Sequence, residues 1–104
     1  MDVRQYRAIR REIKSLEQAP RGAEPAERKR TSERLTVLRK QLREIETAVD
    51  RLPDPDERTV LRLRHIQGMQ WEQIAQKMFY SRSTVIRIAG KAEKSIVRQQ
   101  KNGK

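Results

Sequence analysis

The side chains best suited to chemistry in this chain are cationic and hydroxyl groups that share one face of a predicted helix. Arg82, Ser83, Ile86, Arg87 and Gly90 follow helical spacing on this face. Arginine can donate two parallel hydrogen bonds to the edge of a guanine, and short neighbouring side chains let a helix approach a duplex closely. The pattern therefore predicts a helix that enters the major groove of DNA and contacts bases.

Neighbouring positions extend this predicted contact surface. Hydroxyl and ammonium groups, together with the amides at both helix starts, are expected to hold phosphates. Ile86 can contact either a thymine methyl or a partner protein. The predicted DNA-binding residues are Ser81, Arg82, Ser83, Thr84, Ile86, Arg87, Lys91 and Lys77.

Two short helices with a tight turn between them must position this surface. Ile74 and Ala75 belong to the apolar side of the first helix, and the small Ala75 lets the second helix cross closely. Ser81 is expected to cap the second helix by accepting a hydrogen bond from an amide in its first turn. The predicted supporting residues of the motif are Arg64, Trp71, Gln73, Ala75, Val85 and Ile88.

Residues 53–70 predict a third helix in front of this pair. Asp54 is its expected cap, Pro55 takes the first helical position, and Gly68 ends it. Arg64 lies within the apolar arc of this helix.

We expect Arg64 to reach Glu72 or Gln73 on the next helix. The alternative is an aliphatic stem that extends to solvent. His65, the only histidine, has no ligand set around it and is interpreted as a packing or surface residue.

The N-terminal half has the spacing of a helical hairpin. An apolar seam recurs in residues 1–18, and a longer one runs through residues 31–52, where Thr31 or Ser32 is a plausible cap. Residues 19–30 predict a loop between them. The seams can be buried by folding back antiparallel or by pairing two chains in a coiled coil. Their members are Tyr6, Ile9, Ile13 and Leu16 in the first, and Leu35, Leu38, Leu42, Ile45, Val49 and Leu52 in the second.

The C-terminal half resembles region 4 of the sigma-70 family, and more narrowly small phage-encoded sigma-like transcriptional regulators of the ArpU type. Two positions depart from the usual pattern: Phe79 stands where the turn usually has glycine, and Gln73 stands where glutamate usually precedes Ile-Ala. The segments that carry the resemblance are Leu52-Pro53, Val60 to Arg64, Ile66 to Gly68, Trp71 to Ala75 and Tyr80 to Val85.

The resemblance implies binding near a promoter and contact with RNA polymerase. Because these 104 residues include nothing similar to the promoter-melting region of a full sigma factor, we expect an activator or accessory regulator.

Composition narrows the class of protein. The net charge is +11, and residues 73–104 hold eight Lys or Arg and one Glu, a net of 8 − 1 = +7. A polyanionic partner fits this excess, which coincides with the proposed groove-facing helix. There is no cysteine, no metal-ligand cluster and no catalytic constellation, so neither an enzyme nor a cofactor is expected. No apolar run predicts a signal peptide or membrane span, which favours a cytoplasmic bacterial or phage protein.

The sequence thus predicts an all-α fold. Residues 1–52 form an antiparallel helical hairpin or coiled coil that is a candidate dimerisation element, residues 53–98 a three-helix DNA-binding unit, and residues 99–104 a flexible tail. The predicted function is a sequence-specific transcriptional regulator that binds double-stranded DNA. The alternatives are a protein–protein adaptor and a phage DNA-packaging subunit with the same helix-turn-helix. RNA polymerase and a second copy of the chain are the further expected partners.

Overall fold

The computed structural model describes residues 2–18 and 24–102. Within these ranges the chain forms five α-helices and no strand, so the predicted all-α class is confirmed. A 3-10 turn, Val3–Gln5, precedes the first helix. The helices are α1 (Tyr6–Glu17), α2 (Pro25–Asp50), α3 (Pro55–Leu61), α4 (Trp71–Met78) and α5 (Arg82–Asn102).

The first two helices pack against each other in opposite directions. At the beginning of α1, the Tyr6 hydroxyl donates to Glu46 near the end of α2. Further along α1, Glu12 accepts from Arg34, which lies twelve residues earlier in α2. The start of α1 therefore lies beside the end of α2, as in an antiparallel hairpin.

One hydrophobic core joins residues from both halves of the chain. Ile45 and Val49 of α2 lie in the same buried cluster as Val60 of α3, Ile74 of α4 and Val85 of α5. Each of these side chains is almost completely inaccessible to solvent. Because α5 shares this core, its inner face is held by packing along much of its length, whereas the outer face of its first turns is exposed.

The start of α3 agrees with the prediction, and the start of α2 does not. Asp54 caps α3 as predicted, because its carboxylate accepts from the Asp56 amide at 2.8 Å, and Pro55 takes the first turn. The prediction for α2 was wrong: the helix begins at Pro25, six residues before Thr31. Proline is favoured at the first helical position, where its missing N–H needs no partner, so Pro25 starts the helix and does not belong to a loop.

Two further boundaries depart from the predictions. α3 does not continue regularly to Gly68, since Arg62–Ile66 adopt a π-helical turn before Gly68 reverses the chain at φ 77°. The last helix was predicted to end near residue 98, but α5 continues to Asn102. The predicted loop residues Pro20 and Gly22 and the final two tail residues lie outside the described ranges.

Tyr6 packs in the hydrophobic core and also forms a hydrogen bond between α1 and α2. The ring is buried, and its hydroxyl donates to the Glu46 carboxylate at 2.5 Å. Burial, followed by this hydrogen bond to an anion, raises the pKa of Tyr6 to about 12. The protonated phenol therefore persists well above neutral pH. Its stabilising contribution is complete below the ordinary pKa of about 10 and is lost as pH rises through the raised value.

Candidate nucleic-acid interface

The turn between α4 and α5 is closed by backbone hydrogen bonds. The Tyr80 amide donates to the Ala75 carbonyl at 3.0 Å, and the Phe79 amide donates to the Gln76 carbonyl at 3.4 Å. This pairing is the Schellman arrangement, which requires a left-handed residue just after the helix. Phe79 takes that role at φ 59° and ψ 37°.

Phe79 is an aromatic residue in a conformation that usually selects glycine. Its side chain is 94% exposed, so little burial offsets the steric cost of a Cβ at positive φ. The two backbone bonds and the packing of α4 on α5 impose the conformation.

Replacing Phe79 by glycine is expected to stabilise the fold. Relief of the left-handed strain exceeds the extra backbone entropy of glycine, for a net gain of about 0.5–1 kcal/mol, or a few degrees in Tm. Thermal unfolding of Phe79→Gly beside Phe79→Ala measures the effect. Alanine retains the Cβ and should gain nothing, and an equal rise in both variants would mean that the aromatic ring, not the backbone, is unfavourable.

The start of α5 is capped as its sequence predicts. Ser81 Oγ accepts from the Thr84 amide at 3.2 Å, and its hydroxyl lies 2.8 Å from Thr84 Oγ1. Tyr80, immediately before the cap, donates its hydroxyl to the Asp56 carboxylate at the start of α3. That hydrogen bond to an anion raises the pKa of Tyr80. The turn is therefore tied to α3 as well as to both of its own helices.

The inner faces of α4 and α5 meet through small and branched apolar side chains. Ile74 and Val85 are fully buried, and the small residues Ala75 on α4 and Ala89 on α5 are also buried. Small residues let two helices approach closely, which sets their crossing distance. The predicted supporting residue Ile88 is half-buried at the edge of the same core.

The outer face of α5 carries the predicted base-contacting side chains. Arg82, Ser83 and Arg87 are exposed, and Ile86 beside them is 37% exposed. Gly90 continues this face with open space where a side chain would stand. The surface of the first two turns of α5 is thus uncovered by the described parts of α1 and α2.

Arg82 has one weak partner. Its Nε lies 3.9 Å from Glu72 Oε1 on α4, and both side chains are mostly exposed. An exposed pair at this distance contributes little to stability. Its guanidinium is therefore available to another anion or to a base edge at small cost.

Two predicted phosphate-binding cations lie on either side of this face. Lys77 is exposed on the last turn of α4, and Lys91 is exposed one turn beyond Arg87 on α5. Neither ammonium lies within salt-bridge distance of a carboxylate among the described residues.

The prediction that Arg64 reaches Glu72 or Gln73 was wrong. Its guanidinium stacks on the Trp71 ring, 4.3 Å from the ring centroid, and donates to the Met69 carbonyl at 3.1 Å. It bonds neither Glu72 nor Gln73. The side chain of Gln73 instead accepts from the Gln70 amide and closes the start of α4. Arg64 still braces the helix pair, but through an aromatic face and a backbone oxygen.

Sequence reasoning missed one contact of the middle of α5. His65 Nε2 lies 2.9 Å from Glu93 Oε2, which joins the π-helical turn to α5. The two residues are 28 positions apart, so no local spacing could identify the pair. It ties the middle of α5 to the π-helical turn, on the same side of α5 as Arg82 and Ile86 but about two to three turns further along.

Within the described ranges, no three His, Asp or Glu side chains cluster as metal ligands. None of the helices assigned there has both the length and the apolar composition needed to cross a bilayer.

Comparison with known proteins places the chain in one family. No curated protein and no solved structure matches it significantly. A family profile matches residues 7–98, from the first turn of α1 to the last part of α5. The chain therefore belongs to the family described as "Protein of unknown function (DUF722)".

Proposed function

We propose that this protein is a sequence-specific regulator of transcription that binds double-stranded DNA, with the exposed face of α5 in the major groove. The observation that carries the proposal is the uncovered position of Arg82 and Arg87 on a helix whose opposite face is fully buried. A helix held rigidly from behind can present arginine to base edges at a defined angle.

The distribution of charge also supports DNA binding by the surface of α5. Residues 73–104 carry a net +7 of the whole chain's +11, which concentrates the attraction for a polyanion on the segment that includes α5. Phosphate contacts from Lys77 and Lys91 would orient the protein, and Arg87 would distinguish bases. The resemblance to sigma-70 region 4 favours a site near a promoter, with RNA polymerase as a second partner and a phage or prophage as the source.

The two kinds of contact predict different mutant behaviour. Arg87→Ala should cost about 1–3 kcal/mol on the preferred duplex and relax the base preference at one position, because a base contact is lost. Lys91→Ala, one helical turn away, should weaken binding to every duplex alike. Competition titrations with a preferred and a scrambled duplex measure both. Equal losses on the two duplexes for Arg87→Ala would contradict its base-reading role.

The preferred duplex comes from selection against a random pool. Enrichment of a defined motif supports sequence-specific binding, and two half-sites about one helical turn apart would indicate a homodimer on DNA. A pool without enrichment at low salt would contradict the proposal.

A protein–protein adaptor is the second proposed function, and the exposure of Phe79 favours it. A fully accessible aromatic ring on a constrained turn is the kind of anchor that buries well in a partner's pocket. If this reading holds, DNA retention should be insensitive to the arginines of α5, while Phe79→Ala should weaken binding to polymerase or another protein.

A further inference from the structure

A second cationic surface, which the interface described above does not include, lies on α1. Arg7, Arg10, Arg11 and Lys14 are spaced i, i+3, i+4 and i+7, so they form a stripe along one side of the helix. All four are exposed. This α1 stripe borders a surface groove of about 570 Å³ that is lined by Arg7, Arg10, Arg11, Ile13, Lys14, Glu17 and Leu42.

The positive charge of the α1 stripe is not neutralised within the hairpin. The two acids of α1 are used elsewhere: Glu12 pairs with Arg34 at 2.9 Å, and Glu17 pairs with Arg39 at 2.6 Å. Among the described residues, no carboxylate lies within 4.0 Å of the stripe's charged nitrogens. Four like charges on two turns of helix repel one another, and an external anion would relieve that repulsion.

Packing connects the α1 stripe to the α4–α5 region. The Arg7 guanidinium lies against Gly68, where an added Cβ would come 2.4 Å from its Cζ. Gly68 stands just before α4. The start of α4 in turn shares a smaller groove with Arg82, lined by Arg64, Gln70, Trp71, Glu72 and Arg82. Arg7 of the stripe and Arg82 of α5 therefore both lie beside the short segment 68–72.

We propose that the α1 stripe binds the phosphate backbone of the same duplex, beside the bases that α5 reads. This inference rests on the proposed DNA-binding function. From Arg7 to Lys14 the helix rises about 10.5 Å, which corresponds to roughly three intervals between phosphates of one strand at about 3.4 Å of duplex axis each. The contact supplies affinity without base preference, because phosphates carry no sequence information.

The test removes three charges from the stripe and compares a matched control. Arg10, Arg11 and Lys14 are changed to glutamine, and Arg7 is kept because it packs on Gly68. The control changes Lys29, Lys40 and Arg43 to glutamine. These exposed cations lie on the side of α2 turned away from its buried seam, so the net charge falls equally in both variants.

Binding of fluorescent duplexes across a salt series distinguishes the two variants. The slope of log affinity against log salt should fall by up to about 3 in the stripe variant, about 1 for each lost phosphate contact. Affinity should drop equally on the preferred and scrambled duplexes, so their ratio stays unchanged. The control should keep a slope near that of the wild type.

Two results would overturn the inference. An unchanged slope in the stripe variant, or the same reduction in stripe and control variants, overturns the α1 contact and leaves the function of α5 intact. Wild-type protein that binds no duplex overturns the proposed function and this inference together. Thermal unfolding checks that the triple variant is folded, and Arg11→Gln and Lys14→Gln as single changes, each lowering the slope by about 1, replace it if it is not.

Discussion

Changing Arg82 and Arg87 together to glutamate is expected to lower affinity for the preferred duplex by at least about a hundredfold. Each arginine–base contact contributes about 1–3 kcal/mol, and two carboxylates on the same face add repulsion from phosphates. Both side chains are exposed and neither is held by a short ion pair, so the fold should survive the change. Electrophoretic mobility shifts and titrations with a labelled duplex measure the loss.

The control for this double variant reverses two charges elsewhere. Lys29→Glu with Lys40→Glu alters net charge by the same amount on the outer side of α2. Only a modest, salt-dependent decrease is expected there, because charges beyond about one Debye length are screened. Unchanged DNA binding by the double variant of α5 would contradict the regulator proposal and favour the adaptor. Phe79 would then be the contact to test next.

Ile74→Ala is expected to cause the largest loss of stability among simple truncations of the helix pair. Ile74 is completely buried where α4 packs against α5 in the common core. Removing its outer carbons leaves a cavity and costs about 2–5 kcal/mol. For a chain of this size that corresponds to a fall in Tm of about 10 °C or more. Thermal and urea unfolding followed by circular dichroism measure it.

Ile86→Ala is the matched control, since it is the same substitution on the exposed side of α5. Because 37% of the Ile86 surface is already accessible, Ile86→Ala should lower the free energy of unfolding by only about 0.5–1 kcal/mol, well below the loss for Ile74→Ala. Its effect should appear in binding to DNA, where it is predicted to contact a thymine methyl. If both substitutions destabilise equally, the assignment of inner and outer faces is wrong.

Local features of the sequence were sufficient for most of the secondary structure. The 3-4 spacing from Leu35 to Leu52 predicts a buried seam. Leu38, Ile45, Val49 and Leu52 are buried, and Leu35 and Leu42 are half-buried. The Asp54–Pro55 pair predicts the start of α3, and Ser81 the cap of α5. These signals depend on groups within a few residues of one another, so they operate before any tertiary contact forms.

Sequence spacing determined one part of the candidate interface, and tertiary packing determined the other. Helical spacing alone separates Val85 on the inner face from Arg82 and Arg87 on the outer face, and the burial pattern agrees. That spacing does not determine whether another element covers the arginines, because coverage depends on where the N-terminal hairpin packs. The role of these arginines on DNA remains a prediction, to be decided by the binding experiments.

By itself the sequence determined the helical class, the apolar faces and most of the caps, because periodicity and hydrogen bonding act along the chain over one or two turns. Only the tertiary structure decided which partner a long side chain takes. Arg64 stacks on Trp71 and bonds neither of its predicted partners, Glu72 and Gln73, and Arg7 lies on Gly68. A flexible cation can reach several groups within about 6 Å, and packing of distant segments selects among them.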